Sequence, residues 1–227
     1  AWSVLSAAAA QELTVITGHL ISAADLAIAF GVANSVGPIP MILGGAFNDR
    51  YGPRLVIITG GLLIGLGLCF CGWATSVTQI VIGYGLLFGL GLGLAYGAGI
   101  STAIKYFPDK RGFAGGLVTA VYGFSSVIVP PIAQVLTQHY GIMNTFVILG
   151  TVFALVIMFC GYFCERCPED FNPLNKHGDE KTRTAVTGLT WRQMLASPIF
   201  WPMIALLMCG AVSAMMILSQ AASIAQN

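Results

Sequence analysis

The chain has 227 residues, of which 56% are hydrophobic and 8% charged, with 28 glycines, a mean hydropathy of +0.83 and a formal net charge of +1. This composition departs from that of soluble domains toward a polytopic, all-α membrane protein. So small a net charge, with no dense basic cluster, excludes a polyanion-binding role and gives no argument for nucleic acid as a partner.

The chain opens on "AWSVLSAAAA", an apolar piece too short to span, before polar residues in a loop at 11–24. It reads as the outer end of a truncated helix 1. Helices 2 to 7 follow at about 25–47, 55–74, 78–105, 112–137, 142–164 and 198–222, each long enough to cross a bilayer. Charge sets their limits: no Asp, Glu, Lys or Arg occurs between Arg54 and Lys105, between Arg111 and Glu165, or after Arg192. The turn signals "GWATSVTQ" and "TQHYG" divide the first two of these gaps.

All ten Lys and Arg fall at three connections, beginning at Arg50, Lys105 and Arg166, and the intervening connections have none. By the positive-inside rule the loops after helices 2, 4 and 6 are cytoplasmic, in a plasma or inner membrane. "YGPRLVIITGG" at 51–61 and "YGIMNTFVILG" at 140–150 both join one helix to the next through Tyr-Gly, on opposite faces, as two inverted three-helix units would. The expected organisation is a transmembrane half at 1–165, a polar cytoplasmic linker with a short interfacial helix at 166–197, and helix 7 at 198–227.

Helices 3 and 6 contain almost nothing that needs a hydrogen bond, which assigns them to the lipid-facing periphery. Helices 2, 4, 5 and 7 contain polar side chains, among them Asn34, Tyr96, Tyr122, Ser126 and Gln220. Polar groups at membrane depth tend to face a bundle interior or a watery cavity. Tyr96 precedes Lys105 by nine residues and Tyr122 follows Arg111 by eleven, which puts both roughly 14–17 Å from the cytoplasmic boundary. Taken singly each fits helix–helix hydrogen bonding, whereas the set favours a cavity.

Gly85, Gly89, Gly93 and Gly97 form a stripe on helix 4 suited to close helix packing. A nucleotide-binding reading of them fails for want of a strand and a phosphate-directed lysine. Cys160, Cys164 and Cys167 cluster at the end of helix 6, where reduced thiols are preferred over zinc or acylation. No Ser, His and acid occur in a catalytic pattern, so no enzyme, cofactor or metal site is expected.

The connection between helices 2 and 3 reads "GGAFNDRYGPRL". Gly45, Asp49-Arg50, Gly52 and Arg54 reproduce the G-x-x-x-D-R-x-G-x-R signature, and the chain resembles major facilitator superfamily transporters. The resemblance implies six-helix halves built of 3+3 inverted repeats, and a gating role for Asp49, Arg50 and Arg54 against the other half. "KYFPDKRGFAGGLVTAVYG" and "MMILSQAASIAQ", with the "GLTWRQML" lead-in, are similar to the oxalate:formate antiporter family and to monocarboxylate transporters. That resemblance implies that Asn34, Tyr96 and Tyr122 line the substrate site, and that the substrate-binding cations lie in helices 8–12, which this chain lacks.

The leading expectation is therefore a secondary transporter of small organic anions working by alternating access. The alternatives are a carrier of the same superfamily for a drug or sugar, and a non-transporting membrane receptor or scaffold.

Overall fold

A computed structural model describes residues 2–165 except 19, 22, 108 and 109, together with the isolated positions Pro202 and Met208. The linker expected at 166–197, Gln220 and, apart from those two positions, helix 7 lie outside the described residues.

The described chain is helical, without a strand: α1 (Trp2–Thr17), α2 (Ala23–Val36), α3 (Pro38–Tyr51), α4 (Pro53–Cys71), α5 (Val77–Ile80), a π-helical stretch (Val81–Phe88), α6 (Gly89–Tyr106), α7 (Arg111–Tyr140) and α8 (Ile142–Phe163). Helix 2 of the sequence reading is α2 plus α3, helix 3 is α4, helix 4 is α5 through α6, helix 5 is α7 and helix 6 is α8. Among the described residues, five stretches are long and apolar enough to cross a membrane: Asp25–Tyr51, Pro53–Cys71, Val77–Tyr106, Arg111–Tyr140 and Ile142–Phe163.

Local chemistry sets the ends. α1 runs through Gln11 and Glu12, further than the loop expected from residue 11, because both are good helix formers and can face outward while Leu13 is fully buried. It ends at Gly18, at φ +71, with the Thr14 hydroxyl accepting the Ile21 amide at 3.0 Å. At α5 the Ser76 hydroxyl accepts the Gln79 amide, and the Gln79 carboxamide oxygen accepts the Thr75 amide at 2.6 Å, a relative of the capping box. Pro38, one residue past the end of α2, removes the donor that the Asn34 carbonyl would otherwise meet, and Pro130 and Pro131 do the same to Ser126 and Val127.

The two Tyr-Gly turns have the same geometry. Gly52 sits at φ 84, ψ 161 and Gly141 at φ 78, ψ 163, a region open essentially only to glycine. Each donates its amide to the carbonyl four residues back, Asn48 and Thr137, at 3.0 Å. The helices they launch, α4 and α8, then pack against each other.

That packing uses glycine. A Cβ at Gly65 would stand 2.5 Å from the Ala154 methyl, and one at Gly150 would stand 3.0 Å from the Gly65 carbonyl. On its other side α4 meets α6, where Gly60 and Gly91 oppose each other's carbonyl oxygens. The sequence reading put α4 at the lipid-facing periphery. The structure encloses it on two sides and leaves Leu55, Leu62, Leu66 and Phe70 as one uncovered strip. The largest fully buried side chains, Phe146, Leu13, Leu26 and Ile80 among them, belong to the helix ends opposite the Gly45–Arg54 connection, where α1, α2, α5 and α8 converge. At the other end the core shrinks to Val56, Ile57 and Ala98.

Candidate functional site

Two of the polar residues singled out in the sequence meet. Tyr96 on α6 and Tyr122 on α7 pack with ring centroids 5.0 Å apart at 45°. The Tyr96 hydroxyl lies 3.1 Å from the Thr119 hydroxyl, which donates to the Gly115 carbonyl at 2.9 Å. Thr119 has one proton and uses it on that carbonyl, so Tyr96 is the donor to Thr119. The Tyr122 hydroxyl has no hydrogen-bond partner among the described residues, and Tyr122 is 49% exposed. It is the free donor of the cluster.

Tyr96 is ten residues from the end of α6 and Tyr122 eleven from the start of α7, roughly 15 Å along each helix. Ser126 lies one turn beyond Tyr122 and bonds its own helix, donating to Gly123 O at 2.7 Å. Asn34 is exposed on α2 and donates to Phe30 O at 2.8 Å, without joining the tyrosines. The sequence reading did not single out Trp2, which stacks on Tyr84 at 3.9 Å, while Tyr84 stacks on Phe88 at 4.7 Å. Trp2 was hidden because it stands in the short opening piece, away from any motif.

Gly85, Gly89, Gly93 and Gly97 lie against α2 and α3, where added Cβ atoms would meet Val32, Ala33, Gly37 and Met41 respectively. The Gly45–Arg54 segment is the last two turns of α3 and the start of α4. Asp49 pairs with Lys105 at the end of α6, with side chains 65% and 47% exposed. Asn48, 3% exposed, donates to the Ser101 hydroxyl at 3.3 Å, and its Oδ1 has no partner among the described residues. Arg54 holds its guanidinium carbon 3.8 Å from the centroid of the Tyr162 ring, whereas Arg50 stands 5.6 Å from that of Tyr51. Gly45 faces open space. Sequence counting used Lys105 for sidedness, span limits and depth, not as a partner of Asp49, and nothing local marks Asn48 or Tyr162.

Five apolar spans among the described residues, with paired mid-helix tyrosines and a charged turn at one end, define a polytopic integral membrane protein. The model of the Major Facilitator Superfamily matches residues 1–226, and the chain belongs to that family: it has the major facilitator fold and is a transporter-family protein rather than an enzyme. It is 32% identical over 160 residues to the oxalate:formate antiporter of Oxalobacter formigenes, a match covering 70% of this chain and 36% of that protein. It is 31% identical over 174 residues to monocarboxylate transporter 11 of Mus musculus, covering 77% and 37%. A further relative, the uncharacterized MFS-type transporter YhjX of Escherichia coli K12, is 24% identical over 228 residues, covering 100% and 53%. The chain thus spans about a third to a half of the length of these curated relatives.

Proposed function

We propose that the protein is a secondary active transporter of small organic anions, with oxalate, formate or monocarboxylates as the substrate class, working by alternating access. The observation that carries this reading is the Tyr96–Thr119–Tyr122 cluster at mid-helix, in which one hydroxyl is held and one is a free donor. A carboxylate at that depth needs donors and a cation, since an unpaired charge there costs at least ~2.5 kcal/mol. Tyr122 supplies a donor. The stretches between Arg54 and Lys105 and between Arg111 and Glu165 contain no charged side chain, so the cation comes from the part of the protein beyond this chain. The names of the relatives, an oxalate:formate antiporter and a monocarboxylate transporter, support the same class.

In this reading the loops after α3, α6 and α8 are cytoplasmic, because Arg50 and Arg54 stand at the first, Lys105, Lys110 and Arg111 at the second, and Arg166, Lys176, Lys181, Arg183 and Arg192 follow the third in sequence. Residues 166–197 link this half to helix 7 at 198–227, and helices 8–12 complete the carrier. The test is counterflow uptake of labelled oxalate, formate and lactate by the full-length protein in liposomes. Saturable uptake of at least one is expected, and its Tyr122→Phe variant is expected to have a roughly tenfold weaker half-saturation, the value of a lost hydrogen bond to a charged group. Absence of saturable uptake of all three overturns the substrate class.

A further inference from the structure

Arg54 occupies the first turn of α4, directly after Pro53. A cation at that place opposes the helix dipole, so the guanidinium does not stabilise its own helix. What it meets is the face of Tyr162, in the last turn of α8, at 3.8 Å. The neighbouring contacts also join α4, α6 and the end of α8. A Cβ at Gly161 would meet Ile57, Cys164 packs against the Val56–Ile57–Ala98 cluster, and the Tyr106 hydroxyl donates to Glu165 O at 3.3 Å. Asp49 is engaged by Lys105 in the same way, within this set of helices.

We infer that Tyr162 is a positioning residue for Arg54: its ring holds the guanidinium against α8 in the conformation seen here, and so biases the equilibrium between access states. The inference rests on the transport reading and deepens it, by placing one charge of the turn under the control of an aromatic ring on the same set of helices. Arg54 then has two alternatives, the ring or a partner elsewhere in the full-length protein. Removing the ring shifts the population toward the state in which Arg54 is released. The ring's face carries the interaction, so phenylalanine and tryptophan preserve it while leucine does not.

The experiment uses the full-length protein in liposomes, with its native cysteines replaced by serine and a single Ser126→Cys reporter. The rate of alkylation by a membrane-impermeant maleimide added from each side reads the access equilibrium. Tyr162→Leu is expected to change the ratio of the two rates about two- to fivefold, the range of an exposed cation–π contact. Tyr162→Phe should leave the ratio unchanged, Arg54→Gln should reproduce the leucine effect, and Tyr162→Leu should add nothing in the Arg54→Gln background. A phenylalanine variant that behaves like leucine, or a leucine effect that persists without Arg54, overturns the inference. So does an unchanged ratio throughout. If Tyr162→Leu fails to fold, Tyr162→Met, which also removes the aromatic face, takes its place in the same comparisons. Because this readout needs no substrate, a failed uptake assay removes the substrate class and leaves the positioning role standing.

Discussion

Gly93→Ala is the sharpest test of how the helices approach. A methyl built there stands 2.2 Å from the Gly37 carbonyl oxygen, 2.7 Å from the Pro40 ring and 3.1 Å from the Gly37 carbonyl carbon. Two of these three atoms are backbone, and the third belongs to a proline ring, so no flexible side chain can swing away. Ordinary contact is about 3.5 Å, so α6 must retreat from α3 by more than about 1 Å, and a gap of that size forfeits up to half of each contact's attraction. The retreat also opens the contacts made one turn away by Gly89 with Ala33 and by Gly97 with Met41. Overpacking of this kind costs ~1–3 kcal/mol, and here the upper part of that range applies, against a gain of at most ~1 kcal/mol in helix propensity. The control is Gly99→Ala on the same helix, where an added Cβ meets nothing within 4 Å and only the propensity gain remains. Thermal unfolding of the detergent-solubilised full-length protein, followed by loss of the monodisperse chromatographic peak, should place Gly93→Ala well below the parent and Gly99→Ala level with it or above. Equal midpoints for the two variants would refute the close approach of α3 and α6.

The other consequences are smaller and separable. Gly141→Ala and Gly52→Ala each force a side chain into a glycine-only conformation, so each should lose ~1–3 kcal/mol in the same unfolding assay even though Gly141 has open space around it. Asp49→Asn should change stability by less than ~1 kcal/mol, because both partners of its ion pair with Lys105 are about half exposed or more, and the difference should shrink further in high salt. Tyr96→Phe removes a hydroxyl that is already committed to Thr119, so it should weaken substrate half-saturation less than Tyr122→Phe in the uptake assay.

The features of this chain that the sequence made legible have a short range or a simple count behind them. Charge gaps set the spans to within a few residues, since a charged side chain in lipid is costly wherever it falls. The depth of Tyr96 and of Tyr122 followed from counting to Lys105 and Arg111, and two residues at equal depth on successive helices do meet. The repeated Tyr-Gly was read as a mark of two inverted units, and the backbone angles at Gly52 and Gly141 agree to within about 6°. What stayed hidden depends on the rotation of one helix about its axis relative to another. Arg54 and Tyr162 are more than a hundred positions apart, and no local pattern says that α4 and α8 present them to the same point. The π-helical stretch at Val81–Phe88 was equally invisible, because it reads as ordinary apolar span. The peripheral assignment of α4 failed in part for a related reason: hydrogen-bonding capacity was counted while glycine was ignored, and glycine is what lets α4 be enclosed by α6 and α8.

The contrast between these two kinds of contact bears on how such a half would work. Its interior joins α4 to α6 and α8 largely at glycine positions, several of them at near-contact distance from a neighbouring backbone carbonyl. Packed surfaces of that kind do not deform continuously, which favours motion of these packed helices as a body. Its charged rim is the opposite: the Asp49–Lys105 pair and the Arg54–Tyr162 stack are both substantially exposed, and each is worth ~1 kcal/mol or less. A transporter that must visit both access states cannot hold either one with strong contacts, because a bias of ~5.5 kcal/mol shifts a population from one extreme to the other. Weak, solvent-facing contacts on a rigid frame therefore suit a gate. On the proposed transport reading they set the balance by severalfold factors and are exchanged for partners elsewhere in the protein without disturbing the packing beneath them.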